Sequence, residues 1–92
     1  MTRIELTQHL HAFFPQLKGQ DITVPGDSVA AALQELEKVA PGIGFYICDE
    51  HGGLRRHVNI FINNHVVKDR TRLRDPLPPG STLFIMQALS GG

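Results

Sequence analysis

Asp27-Ser28-Val29-Ala30-Ala31-Ala32-Leu33-Gln34-Glu35-Leu36-Glu37-Lys38-Val39-Ala40-Pro41-Gly42 is the stretch from which the fold is read. Val29, Ala32, Leu33, Leu36 and Val39 or Ala40 recur at i, i+3, i+4, i+7 spacing, with Gln34, Glu35, Glu37 and Lys38 between them. That period gathers the apolar side chains into one stripe of a helix of about three turns. Asp27 or Ser28 supplies an N-cap oxygen, and Pro41-Gly42 stops the helix. A helix with one apolar stripe needs a surface to cover, and the flanking segments read as strands.

Upstream, Ile4 and Leu6 alternate with Arg3, Glu5 and Thr7, the period of a half-buried strand. The segment continues through Leu10, Phe13 and Phe14 to Pro15, where it breaks or turns. Lys18-Gly19-Gln20-Asp21 reads as a turn and Ile22-Thr23-Val24 as a second strand ended by Pro25-Gly26. Together they predict an N-terminal hairpin. Downstream, residues 41–57 are irregular. Phe45-Tyr46-Ile47-Cys48 is a short strand or a core-covering turn, and Gly52-Gly53 a mobile turn. Val58, Ile60 and Ile62 share one strand face; Asn59, Phe61 and Asn63 share the other. Asn63-Asn64 turns the chain into a return strand at Val66 and Val67. Lys68–Arg74 reads as a solvated basic loop, residues 75–80 as a rigid turn, and Thr82–Gln87 as the last strand. The order β-β-α-irregular-β-β-turn-β puts one main helix on a mixed sheet of four to five strands, an α+β fold. The first and last strands are expected to be central, parallel neighbours.

Ninety-two residues make one domain able to bury a modest core. Nine basic residues balance nine acidic ones, which argues against nucleic acid as the main partner. A single cysteine, Cys48, excludes an internal disulfide and suits a reducing, cytoplasmic setting. Met1-Thr2-Arg3 leads into an alternating segment, so no leader is expected, and no run is long enough for a membrane span. His9 and His11, two apart, would share a strand face, but no carboxylate or thiol joins them at a metal-binding spacing. Cys48 lies in an apolar run with no preset base, the setting of an inert thiol.

The last strand runs into Ala88-Leu89-Ser90-Gly91-Gly92. Two terminal glycines contribute little to folding, because ordering glycine costs the most backbone entropy. They do supply an unbranched, Cβ-free end with a carboxylate, which can thread a narrow enzyme channel.

Asp27-Ser28-Val29, Val58-Asn59-Ile60-Phe61-Ile62-Asn63, Leu77-Pro78-Pro79-Gly80-Ser81-Thr82-Leu83 and Ser90-Gly91-Gly92 together resemble the MoaD/ThiS family of ubiquitin-like sulfur carriers. Residues 54–63 look most like CysO-type carriers, with molybdopterin-synthase small subunits next. The strand's Asn63 is followed by Asn64 where the family usually has Gly or an acid. The resemblance implies a β-grasp domain over 1–87 and a flexible tail over 88–92. It implies a protein cosubstrate and not an enzyme. Mg-ATP used by an E1-like adenylyltransferase of MoeB/ThiF type would activate the Gly92 carboxylate. A sulfur donor would then leave a thiocarboxylate for a downstream synthase making cysteine or molybdopterin cofactor. No cofactor is expected to be held by the chain itself. Gly91 keeps the channel clear, and Leu89 and Ser90 contact the partner. On the sheet, Phe61 stands out as a docking anchor among polar neighbours; Phe84 and Met86, which share one face of the last strand, are secondary candidates. Two other readings share this layout: a ubiquitin-like modifier joined through Gly92 to lysine, and a β-grasp interaction module with an inert tail.

Overall fold

The chain runs β1 (Thr2–Leu6), α1 (Gln8–Phe13), β2 (Ile22–Val24), α2 (Val29–Val39), α3 (Ile43–Ile47), β3 (Val58–Ile62), β4 (His65–Val66) and β5 (Thr82–Gln87), with a 3-10 turn at Pro15–Leu17. The computed structural model describes residues 1–19 and 21–87; Gln20 and the expected tail, 88–92, lie outside them. The five strands form one mixed sheet in the order β2-β1-β5-β3-β4. β1 and β5 are parallel, with Leu6 opposite Ile85. The other pairs are antiparallel. The expected parallel centre and α+β class are thus present.

α2 begins as its sequence dictates. Ser28 is the N-cap, and its Oγ accepts the Ala31 N–H at 3.2 Å. Val29, Ala32 and Leu36 are fully buried. They meet the sheet face formed by Ile4, Val58, Ile60, Leu83 and Ile85, all at most 5% exposed. Gly26 is the close-approach point before the helix. Its φ is +154°, and a Cβ there would lie 2.8 Å from the Ala32 nitrogen.

The structure departs from the sequence reading in four segments, besides a one-residue shift of the return strand. The stretch after Leu6 is not extended strand: Gln8–Phe13 is helical, so β1 and β2 are joined by a helix and a 3-10 turn instead of a tight hairpin. Leu10, Phe14 and Leu17 are all buried. Their i, i+4, i+7 spacing is helical, and it overrides the β-like alternation before it. The strand face expected at residues 9–11 is therefore not formed.

The irregular segment holds a second departure, α3, which covers the core as a helix with Ile43 and Ile47 buried. Glu37 organises its start: one carboxylate oxygen accepts the Gly42 N–H at 2.7 Å, the other the Gly44 N–H at 2.8 Å. These bonds hold the Glu37 carboxyl below its ordinary pKa.

Third, the Gly52-Gly53 turn is pinned. Gly53 is buried, its carbonyl accepts the Asp49 N–H, and the next residue, Leu54, donates to the Arg70 carbonyl, both at 2.8 Å.

Fourth, Lys68–Arg74 is not simply a solvated basic loop. Leu73 is 2% exposed with φ +56°. The Asp75 carboxylate accepts the Lys68 and Asp69 N–H groups. Asp69 accepts the N–H groups of Arg72 and Arg74 and the Arg74 Nε. The Arg72 N–H first, then the Arg74 side chain, lower its pKa to about 2. The loop in turn offers the carbonyls of Asp75 and Leu73 to the Val29 and Ala30 N–H groups. It thus satisfies donors that the first turn of α2 would otherwise leave orphaned.

The return strand is His65–Val66, one residue earlier than its sequence suggests, and Val67 is buried just beyond it. Asn63 takes the left-handed turn conformation expected of it (φ +55°), and its Oδ1 accepts the Thr82 N–H at 3.0 Å.

Candidate functional site

Pleating decides which side chains the sheet presents away from α2. Ile60, Leu83 and Ile85 point to the core and are fully buried. Their neighbours therefore point outward. Register then aligns them. Phe61 lies opposite Phe84 on β5 and opposite Val66 on β4. Asn59 lies opposite Met86, and Phe84 opposite Glu5. The Phe61 and Phe84 rings sit 6.3 Å apart, tilted by 31°, a separation at which aromatic pairs attract.

Both phenylalanines are half-buried, and Val66 and Met86 are exposed. The three expected anchors, Phe61, Phe84 and Met86, are thus brought together on one face. Val66 extends the apolar strip across a third strand. Sequence reading had Val66 in the return strand but not on this face, because only the Phe61↔Val66 register puts it there. The rim is polar: Arg3 lies 3.8 Å from Glu5 and 3.6 Å from Asp21, and Asn63, Asn64 and His65 are exposed. An apolar centre with a polar rim is the anatomy of a protein-docking surface.

The other expected site is the tail. Gly92, Gly91, Ser90 and Leu89 lie outside the described residues; the structure defines where they start. β5 ends at Gln87, which pairs with Val58 at the beginning of β3. The Gln87 N–H points to the Thr7 Oγ1 at 3.4 Å, and the Thr7 N–H donates to the Ile85 carbonyl at 3.2 Å. The tail root is therefore held on both sides, by the end of β1 and the start of β3. Met86, the outermost member of the apolar strip, is its immediate neighbour.

Arg70 shapes this end of the sheet. Its Nη2 donates to the carbonyls of Arg55 and Val58, both at 2.9 Å, and its Nη1 to the Asn59 Oδ1 at 3.3 Å. Nothing in the sequence distinguished it from its basic neighbours. Cys48 is half-buried, and burial first, then the Asp49 charge, pushes its thiol pKa up. A thiol so placed is a poor nucleophile. Among the described residues no three His, Cys, Asp or Glu side chains stand close enough to hold a metal. Among the described residues, too, no helix is long and apolar enough to cross a membrane.

Comparison with known proteins agrees with this layout. The ThiS family model matches residues 12–92. The sulfur carrier protein CysO of Mycobacterium tuberculosis is 31% identical over 81 residues, covering 85% of this chain and 87% of that protein. The crystal structure of M. tuberculosis CysO superposes with a TM-score of 0.81 at 26% identity, covering 97% of this chain and all of that one. CysO in the Amycolatopsis orientalis BexX/CysO complex shares the fold, with a TM-score of 0.82 at 22% identity and full coverage of both chains.

Proposed function

The chain belongs to the ThiS family of ubiquitin-like, β-grasp sulfur carriers, and from that premise we propose that its Gly92 carboxylate carries sulfur as a thiocarboxylate. A carboxylate is a poor electrophile, because its charge repels nucleophiles and oxide is a poor leaving group. An E1-like adenylyltransferase of MoeB/ThiF type would use Mg-ATP to form an acyl-adenylate at Gly92 and release pyrophosphate. A sulfur nucleophile then attacks the acyl carbon and expels AMP, leaving the thiocarboxylate. A downstream synthase would take the sulfur. The likeness to CysO favours cysteine synthesis over molybdopterin cofactor synthesis.

The chain contributes binding and position, not catalysis. The observation that carries this reading is the apolar strip of Val66, Phe61, Phe84 and Met86 beside β5, a strand that ends three residues before the diglycine in sequence. A partner docked on the strip holds the carboxylate at a fixed reach from its own active site, which makes the reaction effectively unimolecular. The CysO of A. orientalis forms a protein complex, which supports recognition of such a carrier by its surface.

Intact mass after incubation with Mg-ATP, sulfide and a ThiF-type enzyme tests the proposal. The expected gain is one carboxylate oxygen replaced by sulfur, lost when Gly92 is deleted. An unchanged mass, with the enzyme active on its own carrier, counts against that pairing; unchanged mass across a panel of such enzymes overturns the proposal.

A further inference from the structure

Whichever enzyme takes the tail, the sheet end carrying its root comes against that enzyme. Ala88–Gly92 are five residues, and an extended chain of that length spans at most about 18 Å. A reactive site that receives Gly92 is therefore walled by protein lying over the root. The root is Gln87, opposite Val58, and the residues leading into Val58 are Arg55, Arg56 and His57. Arg70 is bonded to this same end through the Arg55 and Val58 carbonyls.

The charge here is not balanced locally. Arg56 is exposed and has no ion pair among the described residues. Arg55 and Arg70 are engaged with carbonyls, which leave their charge in place. The acids nearest Arg55 and Arg56 in sequence, Asp49 and Glu50, belong to the turn before Gly52, where the Asp49 carboxylate accepts the His51 and Gly53 N–H groups; Asp69, next to Arg70, is engaged with Arg72 and Arg74. Arg74, by contrast, is neutralised by Asp69 at 3.1 Å. Positive charge thus lies beside the tail root as well as on the 68–74 loop, where Lys68 and Arg72 are exposed and have no ion pair among the described residues.

We propose that Arg55, Arg56 and Arg70 form a cationic collar around the tail root that meets an acidic rim at the channel mouth of the activating enzyme. This rests on the reading of Gly92 as the group that enters that enzyme. Covering unpaired cations with neutral protein would strip their water without compensation. Facing them with carboxylates restores the balance and steers the tail toward the channel. A free phosphate or nucleic acid fits less well: Arg55 and Arg70 are pinned to separate carbonyls and cannot close as a clamp, and the chain's formal net charge is zero.

The test is the salt dependence of kcat/KM for thiocarboxylate formation, read by intact mass with a ThiF-type adenylyltransferase. Arg56→Glu should lower kcat/KM by about tenfold or more near 0.01 M salt, mainly through KM, and by much less near 0.3 M, where such charges are screened. Arg74→Gln removes a cation away from the root and should stay within about twofold of wild type. A thermal melt of Arg56→Glu separates docking from folding. Equal kcat/KM for Arg56→Glu and wild type at both salts overturns the collar while leaving the carrier reading intact, and so does a loss that ignores salt. A wild-type chain that no ThiF-type enzyme modifies removes the premise, and the collar with it.

Discussion

Arg70→Ala removes a strut whose worth can be worked from its bonds. Two are at 2.9 Å to carbonyls and one at 3.3 Å to a side-chain amide oxygen. Hydrogen bonds from charged donors contribute about 1.5–3 kcal/mol each when well buried. Here one bond is exposed and two are partly buried, and the third is long. Water replaces part of what is lost, so the total cost should be about 2 kcal/mol. Arg70→Lys keeps the charge but presents one rotatable ammonium where a planar fork reached two carbonyls and an amide. It should recover less than half of the loss. Urea unfolding, followed by circular dichroism, reads both variants as a shift in midpoint at constant m. Full stability in Arg70→Lys would refute the strut, because charge alone would then suffice. A change of less than about 0.5 kcal/mol in Arg70→Ala would refute it too, since ordinary surface substitutions fall in that range.

Phe61→Ala should leave the fold intact and raise the KM of the activating enzyme by about tenfold or more, as expected for an aromatic anchor at an interface centre; titration of KM at constant enzyme checks it. Gly26→Ala forces a Cβ to within 2.8 Å of the Ala32 nitrogen at a φ of +154°, and the urea midpoint should register a loss of at least about 2 kcal/mol. Glu37 and Asp69 have folded pKa values below their ordinary 4.5 and 3.8, Asp69 at about 2. Their stabilisation is therefore present above the unfolded values and lost as pH falls, so stability should decline between about pH 4.5 and 2. Glu37→Gln and Asp69→Asn should each flatten that decline in urea midpoints measured across the window.

The helix at 29–39 and the strands at 58–62 and 82–87 were legible because each shows one clean period. The segment from Gln8 to Leu17 was not, because its helical spacing follows directly on a strand and the change of period has no glycine or proline to mark it until Pro15. α3 was hidden for a different reason. It is only five residues long, and its cap comes from Glu37, on another helix. The apolar strip was half legible. Alternation put Phe61, Phe84 and Met86 on outer faces, but only pairing shows that Phe61 and Phe84 are neighbours and that Val66 joins them. The basic run from Lys68 to Arg74 misled because one-dimensional charge says nothing about partners: Asp69 neutralises Arg74, and Arg70 reaches across to the tail root.

In sequence the tail follows β5, the central strand of the five, which is gripped along both edges. β5 is held by β1 from Thr82 to Ile85 and by β3 from Leu83 to Gln87. A pull on the diglycine therefore does not peel one ladder open bond by bond. It loads two ladders at once, lengthwise, and those ladders lie over the fully buried Ile60, Leu83 and Ile85. Tension from a partner drawing the tail inward would therefore be shared between the β1 and β3 ladders. The load path from the diglycine would thus run through the centre of the sheet and not along one of its edges.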